Sequence, residues 1–184
     1  MAANLTAGVH LPWRDVAPGD GPAISTSVTA LEADALARLA EGRTVLEVGS
    51  AYGYSAVVMA LAGARVTAVD PHAWLPASYE VMLANLAAYG VAGRVEVIRA
   101  PSQQVLPRLA GERAAFGLVF IDGDHSAQAA RHDIRWALQL LDPGGTVAVH
   151  DYLEACCCPG VREAADVMFP EGGPVVDSML TVVP

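Results

Sequence analysis

Two hydrophobic rhythms alternate along this chain. From Thr29 to Ala40, apolar residues recur at Leu31, Ala35, Leu36 and Leu39, the spacing of one helix face, and Gly42 ends the segment. Thr44 to Gly49 then reads as a short β-branched strand. The same alternation predicts helices over Ser55–Ala62, Ser78–Tyr89, Ser102–Leu109 and Ser126–Leu141. It predicts strands over Arg65–Asp70, Val95–Arg99, Phe116–Asp122 and Thr146–His150. The strongest helix carries Ala127, Ala130, Ile134, Leu138 and Leu141 on one stripe, with Trp136 on its flank. Asp142-Pro143-Gly144-Gly145 is expected to stop it. On the helix over Ser78–Tyr89, Val81, Met82, Asn85 and Leu86 lie near one face. A helix near Val161–Met168 and a strand near Met179–Val183 close the chain.

Strands alternating with helices imply a doubly wound, mostly parallel α/β sheet covered on both faces. The nearly unbroken apolar strands agree, because a central parallel strand is buried on both sides. Residues 1–28 carry Pro12, Pro18 and Pro22 and read as an irregular arm, leaving 29–184 as one domain. Ligands in such folds bind outside the carboxyl ends of the strands. That rule singles out the Gly49 loop, Asp70, Asp122 and Asp151.

The Gly49 loop reads Glu47-Val48-Gly49-Ser50-Ala51-Tyr52-Gly53-Tyr54-Ser55. A dinucleotide fingerprint needs G-x-G-x-x-G, but Ala51 and Tyr54 stand where its second and third glycines belong. A nicotinamide-dependent oxidoreductase is therefore disfavoured, and no Gly-Lys-Ser/Thr makes a P-loop. Asp70 ends the second strand about 20 residues on, where a carboxylate can accept both hydroxyls of a ribose. Its alternative is a helix N-cap with Pro71 as first helical residue.

The spacing E-x-G-x-x-x-G-x-S resembles motif I of the class I S-adenosylmethionine-dependent methyltransferases. Phe120-Ile121-Asp122-Gly123-Asp124-His125, the later DPGG and His150-Asp151-Tyr152 resemble the small-molecule O-methyltransferase branch in particular (catechol-type, macrolide-sugar and cephalosporin-hydroxylase-like). The resemblance covers about residues 29–184. It implies a Rossmann-like, seven-stranded sheet with an antiparallel last strand. It implies S-adenosylmethionine held by Glu47, Gly49, Ser50, Gly53, Ser55, Asp70, Pro71, Ser102 and Asp122. Gly49 and Gly53 would let the backbone pass close to the cofactor, and Glu47 would position its amino group. In metal-dependent relatives, the positions of Asp122, His150 and Asp151 hold Mg²⁺. Here the middle ligand is a histidine, which shifts preference from magnesium toward manganese, iron or zinc, or means that no metal binds. Without metal, His150 or His125 could take the acceptor's proton. The plainer roles are a helix cap for His125, a loop-ordering role for His150 and an N-cap for Asp124.

Composition narrows the partners. The net charge is −9, all 11 basic residues are arginine, and none cluster, so a nucleic-acid partner is not expected. The absence of lysine removes Schiff-base chemistry. No apolar run spans a bilayer, and the opening MAANLTAGVH does not read as a signal peptide, so the expected location is the cytoplasm. Cys156, Cys157 and Cys158 read as reduced thiols on a loop, with a substrate-lining or redox role as the alternative. His10, Trp13 and Arg14 are placed to cover an acceptor, and Trp74 to pack on the cofactor. With so little chain beyond the core, the small-molecule acceptor site is shallow or completed by a second subunit in a homodimer. A binding or scaffold protein without turnover is the remaining alternative.

Overall fold

A computed structural model describes residues 13–153 and 158–184. Its main sheet has seven strands: β3 (Thr44–Val48), β4 (Arg65–Val69), β5 (Val95–Ile98), β6 (Phe116–Ile121), β7 (Leu141–Val149), β8 (Val175–Val176) and β9 (Met179–Val182). Their order is β5-β4-β3-β6-β7-β9-β8. The pairs from β5 to β7 are parallel, and β9 runs antiparallel to β7 and β8. This is the doubly wound, Rossmann-like, seven-stranded sheet expected, β8 being the strand that the local pattern did not predict. The switch in strand order falls at β3 and β6, where the two halves wind away from each other and leave a crevice.

Helices cover both faces. Ile24, Leu36, Val57, Met59, Met82 and Phe120 share one buried cluster, formed around α1 (Ala30–Ala40), α2 (Tyr54–Leu61) and α3 (Ser78–Ala88). Leu106, Val119, Ile134, Leu140 and Val147 share the other, around α4 (Ser102–Gly111), α5 (Ala127–Leu140) and α6 (Pro159–Met168). On α3 the inward residues are Met82 and Leu86, while Val81 is exposed. Among the described residues, no helix is long and apolar enough to cross a membrane.

Three expectations change. The arm read as irregular forms an antiparallel hairpin, β1 (Arg14–Val16) with β2 (Ile24–Thr26), and its Ile24 and Val28 are buried in the first cluster. The Asp142–Gly145 turn does end α5, but β7 already begins at Leu141 opposite Phe116 and resumes at Thr146 after a register shift. The helix after Asp70 starts only at Ser78, so Asp70 is not an N-cap.

Candidate active site

The strand tips open on one cleft of about 790 Å³. Ser50, Ser55, Asp70, Pro71 and Ser102 line it toward one side, and Asp122, His125 and Asp151 toward the other. Trp13 and Trp74 also line it, with Trp13 edge-on to Tyr52. Arg14 instead donates to the Val28 carbonyl, and His10 lies outside the described residues.

Asp70 organises the glycine loop. Its Oδ2 accepts the backbone N–H groups of Ser50 and Ala51, each at 2.9 Å, and its Oδ1 accepts that of His72 at 2.6 Å. The loop therefore closes over the end of β4 through charge-assisted bonds. Gly49 has φ +85°, and a Cβ there would stand 2.0 Å from the Asp122 carbonyl oxygen. Glycine is required at 49 because two strand tips touch. At Gly53 a Cβ would meet the Met82 side chain at 2.8 Å, and this glycine does not line the cleft.

Glu47 also stands away from the cleft. It is fully buried under the loop, with Oε1 accepting the Ser55 hydroxyl at 2.5 Å and Oε2 without a partner. Burial, opposed by the Ser55 hydrogen bond, pushes its carboxyl up to about 8. Ser55 is the member of this pair that reaches the cleft wall.

At the other side, β6 and β7 bring together Asp122, His125, His150 and Asp151. His150 is buried behind the two aspartates and does not line the cleft. Its Nδ1 lies 3.3 Å from Asp122 Oδ1 and 3.4 Å from Asp151 Oδ2, with no well-directed hydrogen bond to either. Its Nε2 lies 3.1 Å from Glu32 Oε2. Glu32 is buried too: Oε1 accepts the Ser178 N–H at 2.8 Å and hydroxyl at 2.6 Å, while Oε2 accepts the Thr29 N–H at 2.8 Å. Burial raises the Glu32 pKa, but the His150 hydrogen bond and charge, with Ser178 and Thr29, bring it down to about 2. Burial opposes charge on His150 as well; the Asp122 carboxylate and its neighbours outweigh it and hold the imidazole well above its usual range.

His125 is the imidazole that faces the cleft. Its Nε2 lies 3.0 Å from Asp151 Oδ2 and 3.8 Å from Asp122 Oδ1, and its Nδ1 lies 3.0 Å from the Cys158 sulfur. The Asp122 and Asp151 carboxylates raise it, against burial, to about 10. Asp151 has φ +59°, a strained conformation for a non-glycine residue that the surrounding contacts hold in place. Ser126, not His125 or Asp124, caps α5 by accepting the Ala129 N–H; Asp124 accepts the Ser126 N–H instead. Cys158 is a reduced thiol at the N-cap of α6, as expected of a loop cysteine, and it is buried. Cys156 and Cys157 lie outside the described residues.

Sequence reading missed Glu32. Its available signal is the T-x-x-E spacing of Thr29 and Glu32, which forms a capping box at the start of α1. Ser102 lies on the cleft wall; Asp133 also lines the cleft but is buried, its carboxyl raised by burial against a hydrogen bond from His132.

Known proteins similar to this chain in sequence and fold are methyltransferases. A family described as a methyltransferase domain matches residues 46–152. A catechol O-methyltransferase of Mycobacterium tuberculosis is 33% identical over 151 residues, covering 73% of this chain and 67% of that protein. A catechol O-methyltransferase of Niastella koreensis is 28% identical, covering 82% of this chain and 63% of that protein. The chain thus spans about two thirds of the length of these relatives. Among solved structures, the O-methyltransferase TomG of Streptomyces achromogenes, involved in tomaymycin synthesis and solved with S-adenosylmethionine, superposes with a TM-score of 0.67 at 26% identity. That match covers 85% of this chain and 81% of TomG.

Proposed function

This chain belongs to the S-adenosylmethionine-dependent methyltransferase family, and from that premise we propose that it methylates a hydroxyl group of a small molecule. One observation carries the reading. The loop pinned by Asp70 and the carboxylates Asp122 and Asp151 open on the same cleft from its two sides. A donor seated along the loop thereby presents its methyl group to an acceptor seated at the carboxylates.

Ser50, Ser55, Asp70, Pro71 and Ser102 form the donor side. Asp122 closes it at the reacting end and faces the acceptor. The reaction is a displacement: the acceptor oxygen attacks the methyl carbon, the carbon–sulfur bond breaks, and the sulfonium leaves as a neutral thioether. The protein must hold the three atoms in line and take one proton. His150 does not reach the cleft, and His125 is already protonated at neutral pH because its pKa stands near 10. We therefore assign proton acceptance to Asp122, with His125 as the cation that orients the carboxylates. Glu47 acts on the donor side only through Ser55.

Magnesium does not fit the three residues Asp122, His150 and Asp151. It prefers six oxygen ligands, and one of these three donors is an imidazole nitrogen.

The test is calorimetric titration with S-adenosylhomocysteine, followed by methyl transfer from labelled S-adenosylmethionine. The tuberculosis relative is named for catechol, so a catechol is the first acceptor to try, then phenolic and sugar hydroxyls. Wild-type protein should bind with micromolar affinity, and Asp122→Asn should keep that binding while losing about 100-fold or more in turnover. A wild-type protein that binds no S-adenosylhomocysteine would sink the reading.

A further inference from the structure

Behind the cleft wall, three donor atoms converge from two adjacent loops: Asp122 Oδ1, His150 Nδ1 and Asp151 Oδ2. Two distances bear on what belongs between them. A protonated Nδ1 bonded to a carboxylate would stand about 2.7–2.9 Å from its oxygen. Here the separations are 3.3 and 3.4 Å, and Nδ1 is buried without a hydrogen-bond partner. Four-coordinate zinc, with bonds of about 2.0–2.1 Å, sets neighbouring ligand atoms about 3.3–3.4 Å apart. Six-coordinate magnesium, with bonds of similar length, sets them about 2.9 Å apart. The two separations from Nδ1 match the tetrahedral case.

The tautomer of His150 points the same way. Its Nε2 faces the Glu32 carboxylate at 3.1 Å, so Nε2 carries the hydrogen and donates it. A cation that displaces the Nδ1 proton of the charged ring would meet the ring's lone pair there, facing two carboxylate oxygens. Asp122 and Asp151 already share the charge of His125, whose Nε2 lies 3.0 Å from Asp151 Oδ2 and 3.8 Å from Asp122 Oδ1, and a metal ion at Nδ1 would be the second cation on this carboxylate pair. A carboxylate that accepts the far N–H of a histidine ligand fixes its ring and strengthens it as a donor. Glu32 is itself locked by Ser178 and Thr29, so the ring has little freedom to turn.

We propose that Asp122, His150 and Asp151 bind a borderline transition-metal cation of the zinc or cobalt class in preference to magnesium, with Glu32 as the carboxylate that orients His150. This deepens the methyltransferase reading, since the ion lies against the acceptor side of the cleft, but its test is independent of turnover.

The experiment is titration of purified protein with Zn²⁺, Co²⁺ and Mg²⁺, in a background where Cys156, Cys157 and Cys158 are all serine so that the thiols do not report. S-adenosylhomocysteine binding is measured on every sample. Expected is one Zn²⁺ or Co²⁺ per chain, bound at least about 100-fold more tightly than Mg²⁺. Glu32→Gln should weaken Zn²⁺ by about 10–100-fold. His150→Asn should remove the preference for Zn²⁺ over Mg²⁺, and circular dichroism with retained S-adenosylhomocysteine binding checks that each variant is folded. Should Glu32→Gln fail to fold, His150→Asn still decides. Zn²⁺ binding no tighter than Mg²⁺, or unchanged in His150→Asn, overturns the proposal while leaving the donor site intact. Loss of S-adenosylhomocysteine binding by the wild type overturns the methyltransferase reading instead.

Discussion

Glu32 Oε2 lies 3.1 Å from His150 Nε2, joining the first turn of α1 to the tip of β7 across 118 residues, with both side chains fully buried. A residue of the capping box of the first sheet-covering helix is thus also the anchor of His150. Removing one partner of a buried ion pair strands the other's charge. Glu32→Ala should therefore lower unfolding free energy by about 3–5 kcal/mol, measured by urea denaturation at pH 7. A loss under about 1 kcal/mol would show that His150 sheds its charge at little cost.

The same carboxyl makes an acid-side prediction. Its folded pKa is near 2, below the 4.5 of an unperturbed glutamate. Its contribution is complete above about pH 4.5 and fades as the pH falls toward 2. The melting temperature of wild-type protein should drop across that window more steeply than that of Glu32→Gln. Parallel curves would contradict the assignment.

Glu47 behaves in the opposite sense. Its folded pKa is raised to about 8, so folding favours its protonated form. The advantage is complete below about pH 4.5 and is lost as pH rises through 8. Glu47→Gln, which keeps the shape without the charge, should be more stable relative to wild type at pH 9 than at pH 6. Thermal melts at the two values check this; an unchanged difference would mean Glu47 does not titrate in that range.

The loop pinned by Asp70 should fail as a unit. Asp70→Ala frees the Ser50 and Ala51 N–H groups and removes the anion that closes the loop. S-adenosylhomocysteine affinity should fall by about 100-fold, the cost of about two charge-assisted hydrogen bonds. Retained affinity by calorimetry would remove Asp70 from the donor site.

Two glycines with the same backbone sign should respond differently to alanine. Gly42 has φ +66° and open space around it, so Gly42→Ala should cost only the left-handed backbone penalty of about 1–2 kcal/mol. At Gly49 the added Cβ also meets the Asp122 carbonyl at 2.0 Å, and the loss should exceed about 3 kcal/mol. Equal losses by denaturant titration would mean the two strand tips can part freely.

The local chemistry of the site is legible in the amino-acid sequence. Gly49, Asp70, Asp122 and Asp151 end strands because each follows a short apolar run, and doubly wound sheets gather such ends on one edge. The β1–β2 hairpin is not legible there, because its strands of 3 residues are too short for any period to show. Asp70 resembles a helix cap because Pro71 follows it, but the chain turns at His72, with φ +50°, and reaches Ser78 before a helix begins.

The sequence by itself determined the helices, the longer strands and which residues stand at the strand tips, because these follow from local spacing and from the burial of apolar faces. Only the tertiary structure decided what those residues face. Glu47, which by order along the chain belongs to the donor loop, is sealed beneath it. His150, read as a candidate base, is held behind the cleft by Glu32, and His125 takes the position facing it. Partners 118 residues apart are set by how helices and strands pack in space, and local periodicity carries no information about that distance.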